Sequence, residues 1–301
     1  MEKINFKHSV IFFNLCILMS PFYLMLNFEP IILCLFLILI LGISHGALDN
    51  IKGRKLLKLF GYKSTVFFYL AYILISFLII TFWLAFPNIV LFLFLIVAAY
   101  HFGKEDTVFS FKKNFLISEC LFFLKGSSVI VAPLLLQRNA TNEIFRILNF
   151  NVFESTIFSN QLLIILLCLS FLSSLYISNK KNANIKVIMI MDFSSLIVLN
   201  FFLTPILAFT LYFCFLHSIR HSITLIFELD KSFKSGVKKF INRAIPLTFV
   251  TGVIFLFAIY FLNNFYKLDE AIYKVIFIGL ASLTFPHILL EYLLEKNEKR
   301  T

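Results

Sequence analysis

Residues 65–86 read TVFFYLAYILISFLIITFWLAF, an uncharged run dominated by apolar residues. A helix needs roughly 20 such residues to cross the hydrocarbon core of a bilayer. The composition agrees, because 60% of the 301 residues are hydrophobic, only 14% are charged, and the mean hydropathy is +0.93. Soluble proteins hold about 25% charged residues. These values exclude a soluble enzyme, a disordered chain and a secreted disulfide scaffold, and they predict a membrane protein.

Similar apolar runs recur from one end of the chain to the other. Breaker pairs separate several of them, as at Glu29-Pro30, Pro87-Asn88 and Thr204-Pro205. No long linker or soluble domain intervenes, so we expect an all-α fold: one polytopic transmembrane helical bundle, a single integral-membrane domain over residues 1–301. The ten predicted spans are about 9–27, 30–49, 65–86, 88–103, 115–136, 157–178, 186–203, 205–227, 245–263 and 272–294.

The basic residues are distributed unevenly between the two sides predicted by these spans. The chain has 27 Lys and Arg against 16 Asp and Glu, a net charge of +11. With the N-terminus in the cytoplasm, 21 basic residues lie inside, 4 lie outside, and Lys125 and Arg220 fall within spans. Cytoplasmic loops of membrane proteins are enriched in Lys and Arg. We therefore expect both termini in the cytoplasm, a multi-pass position in the cell membrane, the lipid bilayer as partner, and no nucleic-acid partner.

The histidines are informative because ionisable residues inside a membrane are costly. His8 precedes the first span and is expected at the surface. The other five share one predicted depth, near the cytoplasmic side of spans two, four, eight and ten. They are His45, His101, His217, His221 and His287. A single histidine of this kind often serves only as a hydrogen-bond partner between helices, but a shared depth indicates a common site.

His217 and His221 form an i, i+4 pair in HSIRH, which places both imidazoles on one helix face. Such a pair suits either two ligands of a metal or a polar stripe between helices, and the pattern leaves both open. Neutral imidazole binds iron, copper and zinc. The five cysteines form no C-x-x-C motif and are expected to be small buried apolar residues.

Acidic residues follow two of these histidines. Asp49 lies four residues after His45, and Glu105 and Asp106 follow His101. Such acids could accept the free imidazole N–H of a ligand and fix its tautomer. They could equally be solvated charges at the edges of loops, which is the safer interpretation for Glu105. Arg220 is expected to reach the interface or to pair with an acid, either Asp192 or Glu228.

Four segments in order along the chain form a set: GISHGALD at 42–49, AAYHFGKED at 98–106, HSIRH at 217–221 and FPHILL at 285–290. Together they resemble the membrane-bound Brp/Blh-type β-carotene 15,15′-dioxygenases, which supply retinal to microbial rhodopsins. Asn50 departs from the family, in which a His is expected at that position, and this argues against a ligand there.

The resemblance implies the chemistry as well as the family. The family cleaves the central double bond of β-carotene with O₂ and ferrous iron (Fe²⁺), giving two all-trans-retinal, and a rhodopsin could take the product. No catalytic residue is expected beyond the metal ligands, which by motif are His45, His101, His217 and His221. A role beside the ligands or against the substrate is implied for His287, Asp49, Asp106, Tyr100 and Tyr212, with His287 also open as a fifth ligand.

Four other classes of membrane protein remain as alternatives. A di-iron desaturase needs about eight histidines in several boxes, and this chain has one such pair. A haem carrier uses axial histidines from facing helices, which an i, i+4 pair fits poorly. A transporter is expected to have carboxylates or broken helices at mid-bilayer. A relative that binds haem or carotenoid without cleaving it would share every motif.

Overall fold

A computed structural model describes residues 1–23, 30–62, 64–109, 111, 115–154 and 158–298, without the side chains of His45, Ala47, Phe115 and Glu298. The described chain is helical and contains no strand. Its α-helices are α1 (Glu2–Tyr23), α2 (Ile31–Leu37), α3 (Asp49–Leu59), α4 (Val66–Ala85), α5 (Pro87–Glu105), α6 (Phe115–Leu136), α7 (Arg138–Ile147), α8 (Asn160–Ser178), α9 (Ala183–Phe202), α10 (Pro205–Leu211), α11 (Ile219–Leu229), α12 (Phe233–Leu262) and α13 (Leu268–Glu298).

Local sequence explains where several helices begin. Pro87 and Pro205 occupy the first positions of α5 and α10, where proline's missing N–H would have no helical partner in any case. The side chains of Ser159 and Asn182 accept hydrogen bonds from backbone N–H groups in the first turns of α8 and α9. The predicted breaks at Pro87 and Pro205 therefore separate helices.

Eight helical runs in the described residues are long and apolar enough to cross a membrane. They coincide with predicted spans three to ten. The faces of these helices agree with a lipid environment, because α4 buries Trp83 while Ile73, Phe77 and Leu84 are 64%, 64% and 74% exposed. The chain is a multi-pass membrane protein with an all-α fold.

The first two predicted spans differ from the structure in detail. Helix α1 starts at Glu2, and residues 24–27 of the predicted span lie outside the described residues. The second span is not one straight helix: α2 passes into a π-helix at Ile38–Gly42 and a 3₁₀-helix at Ile43–Leu48. Two glycines, Gly42 and Gly46, lie in this stretch, and glycine is a weak helix former.

The predicted spans leave residues 228–244 as a loop, and this loop is shorter in the structure than predicted. Most of that stretch is the beginning of α12, which starts at Phe233 and runs for 30 residues. The other expected loop, near 137–156, contains α7 and a 3₁₀ turn at Val152–Glu154. Neither stretch forms a domain of its own.

The chain divides into two compact units, each made from two segments. Unit 1 comprises residues 1–42 and 95–224, and unit 2 comprises residues 43–94 and 225–301. In unit 1, α1 packs on α9 and α6 packs on α8, with buried Ser170 and Ser174 in the contact face of α8. In unit 2, α13 packs on α3, α4 and α12.

Candidate functional site

Unit 1 brings together two of the predicted metal ligands. His101, near the end of α5, and His217 are 6% and 1% exposed. Their ring centroids lie 5.3 Å apart with the ring planes at 66°. Two imidazoles from different helices therefore meet edge to face in the interior of this unit.

His217 lies in a π-helix, Tyr212–Ser218, which continues directly into α11. π-Helical turns inside α-helices are rare and often mark functional positions. The neighbouring backbone is close, since a Cβ at Gly42 would lie 2.5 Å from the ring of Phe213. The π-helix changes the helical phase at the start of the HSIRH segment, and sequence periodicity alone could not reveal this change.

Asp106 binds His217 rather than the His101 that it follows in sequence. Its Oδ1 lies 2.9 Å from His217 Nδ1, and its Oδ2 accepts a hydrogen bond of 2.5 Å from the Tyr212 hydroxyl. Burial alone would raise the pKa of Asp106, but His217, with Arg220 and Lys125 nearby, holds this pKa well below its usual value. An ionised Asp106 fixes the Nδ1–H tautomer of His217 and leaves Nε2 as the metal-binding nitrogen.

Glu105 has a similar relation to His221. Its Oε2 lies 3.2 Å from His221 Nδ1, and its side chain is 23% exposed. The alternative of a purely solvated charge is therefore wrong. Both imidazoles of the HSIRH pair contact carboxylates at the end of α5. These two carboxylates therefore orient the pair.

Aromatic rings enclose His217. Phe102 lies 4.9 Å from the imidazole, edge to face, and Phe213 stacks on it at 5.8 Å. Tyr212 contacts Phe102 at 5.5 Å. Tyr100, the other predicted aromatic, instead hydrogen-bonds with Glu119 and packs against Lys104. Among the described contacts, His217 thus lies between aromatic rings, the His101 imidazole and the Asp106 carboxylate that orients it.

Three polar side chains in unit 1 make contacts that the sequence predicted only for Arg220. Lys125 is buried in α6 and donates hydrogen bonds to Thr107 Oγ1 and the Gly103 carbonyl. Arg220 pairs with Asp192, one of its two expected acids, at 2.7 and 2.9 Å. His8 is half-buried rather than a surface residue, and its Nε2 contacts the Phe215 carbonyl at 2.8 Å. An isolated His or Lys in a sequence carries no periodic signal that would predict such contacts.

Unit 2 contains a second group of a histidine, an aspartate and a tyrosine, like His217, Asp106 and Tyr212 of unit 1. His287 Nδ1 lies 2.9 Å from both carboxylate oxygens of Asp49, and the Tyr72 hydroxyl donates to Asp49 Oδ2 at 3.0 Å. Lys52 binds Glu291 at 2.7 Å, and His287 Nε2 lies 3.7 Å from the same Glu291. Asp49 was expected to accompany His45, whose side chain lies outside the described residues, and its described imidazole partner is His287.

His45 has only its backbone described, within the 3₁₀-helix Ile43–Leu48, and its side chain lies outside the described residues. Its assignment as a ligand remains a prediction from its motif. Asn50 lies in the first turn of α3.

The donor set fits a transition-metal ion. In unit 1, His217 and His221 each direct Nδ1 to a carboxylate, an arrangement typical of metal-bound histidine. Imidazole nitrogens in apolar surroundings suit iron, copper or zinc, and they do not discriminate among them. The histidine and glutamate side chains could therefore hold a metal.

Comparison with known proteins agrees with this chemistry. The family model described as β-carotene 15,15′-dioxygenase matches residues 36–295. A protein of uncultured marine bacterium 66A03, named β-carotene 15,15′-dioxygenase, is 30% identical over 275 residues, which cover 88% of this chain and 94% of that protein. No solved structure matches. Since the family model covers most of the chain and the relative is similar over nearly its whole length, this chain belongs to the β-carotene 15,15′-dioxygenase family.

Proposed function

We propose that this protein cleaves the central 15,15′ double bond of β-carotene with O₂, so that one oxygen atom enters each of two all-trans-retinal products. The observation that carries the proposal is the buried His217, whose Nδ1 is held by Asp106 beside the ring of His101. This geometry supports a metal centre, and the family supplies the substrate. We assign the activity to the whole chain, residues 1–301.

The proposed metal is ferrous iron, bound by His101, His217 and His221, with His45 as a fourth ligand on the basis of its motif. When bound, the iron would supply the centre that activates O₂ next to an electron-rich polyene. The chain's own residues hold the ligands in place: Asp106 and Glu105 orient the two imidazoles of the pair, and Tyr212 donates a hydrogen bond that fixes Asp106.

The proposed substrate path is apolar. β-Carotene dissolves in the bilayer and has a length comparable to the hydrocarbon core, on the order of 30 Å. Phe102, Phe213 and Tyr212 surround His217. We propose that these rings pack against the polyene and exclude water from the reacting bond. Lateral entry from the bilayer would spare the substrate any passage through water.

The proposed location is the cell (cytoplasmic) membrane, with both termini in the cytoplasm. The product is apolar and would remain in the bilayer. A retinal-binding rhodopsin in the same membrane is the proposed acceptor, since its ligand is the aldehyde that central cleavage makes.

The test is expression in a bacterial strain that accumulates β-carotene. The cells are expected to change from orange to pale, and chromatography of their lipids should give retinal as the major product. His217→Ala and His221→Ala should each abolish retinal at unchanged protein level. Thr224→Ala is the matched control, because it lies one turn beyond His221 and bonds only the Arg220 carbonyl of its own helix among the described contacts.

Three outcomes would contradict parts of the proposal. Unchanged retinal in both histidine variants would remove the metal assignment. Apocarotenals of unequal length would indicate eccentric cleavage. Carotenoid that copurifies with the protein without forming retinal would indicate a binding protein instead of an enzyme.

A further inference from the structure

The helix that carries the HSIRH segment is held from α1, which lies before the residues matched by the family model, 36–295. The His8 ring Nε2 lies 2.8 Å from the Phe215 carbonyl oxygen, in the middle of the π-helix Tyr212–Ser218. A carbonyl oxygen only accepts, so His8 is the donor and its Nε2 carries the proton. The contact joins an N-terminal residue to a position two residues before His217.

Ser9, the residue after His8, makes a second contact, to Arg220 of the HSIRH segment. Arg220 is 3% exposed and donates to Ser9 Oγ at 2.8 Å, in addition to its two hydrogen bonds to Asp192. Ser9 Oγ in turn donates to Asp192 Oδ1 at 2.8 Å. Arg220 lies between His217 and His221 in sequence. The contacts among Arg220, Ser9 and Asp192 therefore hold the HSIRH segment at a position between its two histidines.

The need for such contacts follows from the π-helix. A π-helix carries i→i+5 hydrogen bonds and is rare inside α-helices, and a change of one residue in register rotates every later side chain by about 100°. A metal centre requires its donors to be held to within about half an ångström. Backbone hydrogen bonds within the segment do not by themselves select one rotation, whereas contacts from α1 and α9 on both sides of His217 do.

We propose that His8 and Ser9 of α1 are positioning residues for the dioxygenase: they fix the π-helix and thereby the orientation of His217 and His221. Neither residue touches the reacting atoms. The inference rests on the proposed function insofar as it takes this pair as metal ligands. The contacts of His8 and Ser9 with the segment do not depend on the reaction.

The test compares four variants of the full-length protein in detergent. His8→Phe keeps a ring and removes the donor, His8→Gln returns an N–H donor near the position of Nε2, and Ser9→Ala removes the hydroxyl that binds Arg220. The matched control is Ser195→Ala on α9. Ser195 is fully buried, bonds Met191 of its own helix and Cys16 of α1, and makes no described contact with Phe215 or Arg220.

Two measurements are made besides activity. The first is Co²⁺ affinity from the visible absorption of the bound ion, and the second is hydrogen–deuterium exchange of residues 212–221 in metal-free protein. His8→Phe and Ser9→Ala should weaken Co²⁺ binding by about 10-fold, the lower end of the range for mutations of residues that support a metal ligand. Both should also accelerate hydrogen–deuterium exchange in residues 212–221. His8→Gln should restore most of both properties, and Ser195→Ala should change neither.

The proposal is overturned if His8→Phe and Ser9→Ala both keep wild-type Co²⁺ affinity and exchange. It is equally overturned if Ser195→Ala changes both measurements as much as they do, because the effect would then be general packing of α1 on α9. If the wild type neither binds Co²⁺ nor makes retinal, the proposed function fails, and the exchange data alone decide whether His8 and Ser9 order the segment.

Discussion

Three carboxylates, Asp49, Glu105 and Asp106, each contact the Nδ1 atom of an imidazole. In two of the three pairs a tyrosine hydroxyl binds the same carboxylate, Tyr212 at Asp106 and Tyr72 at Asp49. A carboxylate in an apolar interior needs such partners, because an unpaired buried charge is costly. The repeated arrangement restricts each imidazole to one tautomer and one ring orientation.

Asp106→Asn tests the pair in unit 1. The amide keeps the size of the side chain but removes the charge that favours the Nδ1–H tautomer of His217. We expect a loss of metal affinity of about 10- to 100-fold with little change in protein level, measured by iron content after dialysis at graded chelator concentrations. Asp230→Asn is the control, since this acid lies in the turn before α12 and binds Lys239. Equal iron content in both variants would contradict the role of Asp106.

The group in unit 2 predicts a graded loss of stability. Tyr72→Phe removes the single hydroxyl donor that Asp49 Oδ2 and the Leu283 carbonyl share, at 3.0 and 3.2 Å. Ser76→Ala on the same helix removes the hydrogen bond to the Ser282 carbonyl. We expect losses of about 1 kcal/mol for Tyr72→Phe and less for Ser76→Ala. Asp49→Asn should cost more than either, about 1–3 kcal/mol, because His287 loses its charged partner. Unfolding free energies in mixed micelles measure the order, and an inverted order would show that Asp49 is not the centre of the group.

The sequence identified these acids, but the described imidazole partners of Glu105 and Asp106 are His221 and His217, not the His101 that precedes them. Spacing of i, i+4 brings side chains together only on a continuous α-helix. His45 lies in a 3₁₀-helix and Asp49 begins α3, so the helix type changes between them. Asp106 lies five residues after His101 and just beyond the end of α5 at Glu105, so it does not share the helical face of His101. Partners from other helices, such as His217 and His287, depend on tertiary packing and leave no mark in local spacing.

At the scale of the elements, the close contact of α5 with α6 positions His101 and the two acids that follow it. A Cβ on Gly103 would lie 1.8 Å from the Phe122 carbonyl oxygen, and one on Gly126 would lie 1.8 Å from the Ala99 carbonyl oxygen. Real Cβ atoms do not approach this closely, and small residues at such crossings are typical of membrane helices. The two glycines therefore set the distance between the helix axes.

Gly103→Ala should separate α5 from α6 and displace His101, Glu105 and Asp106 together. We expect loss of retinal formation and a lower melting temperature. Gly252→Ala in α12 is the control: nothing lies within 4 Å of its added Cβ, and alanine is the better helix former by about 1 kcal/mol. It should leave activity unchanged and the melting temperature equal or higher. Normal activity in Gly103→Ala would mean that this crossing does not position the site.

The helices themselves were largely predictable, whereas their interruptions were not. Eight of the ten predicted spans coincide with long apolar helices, because hydropathy over roughly 20 residues reports directly on the bilayer. The π-helix at Tyr212–Ser218 and the breaks at Ile38–Leu48 lie inside apolar runs, where composition is uniform. The two interruptions meet where Gly42 lies against the Phe213 ring, a tertiary contact that hydropathy does not detect.

For the whole molecule, the distribution of basic residues is the strongest constraint on orientation. The asymmetry of 21 inside to 4 outside was obtained with ten spans. The eight long helical runs preserve this asymmetry. The two predicted spans without such a run are the first two, and removing two spans leaves every later loop on its predicted side. The predicted orientation is therefore the same whether α1 and the Ile31–Gly42 helix both cross the bilayer or neither does.

The orientation is tested with reporter fusions at three positions. Alkaline phosphatase fused after Asn151, beyond α7, should be active, because this enzyme matures only outside the cytoplasm. The same fusion after Lys181, between α8 and α9, should be inactive, and green fluorescent protein at the C-terminus should fluoresce because it folds in the cytoplasm. Positive charge retains the 180–186 loop inside, so replacing Lys180 and Lys181 with Gln should raise the phosphatase activity of the second fusion. Activity after Lys181 together with inactivity after Asn151 in the wild-type chain would reverse the orientation.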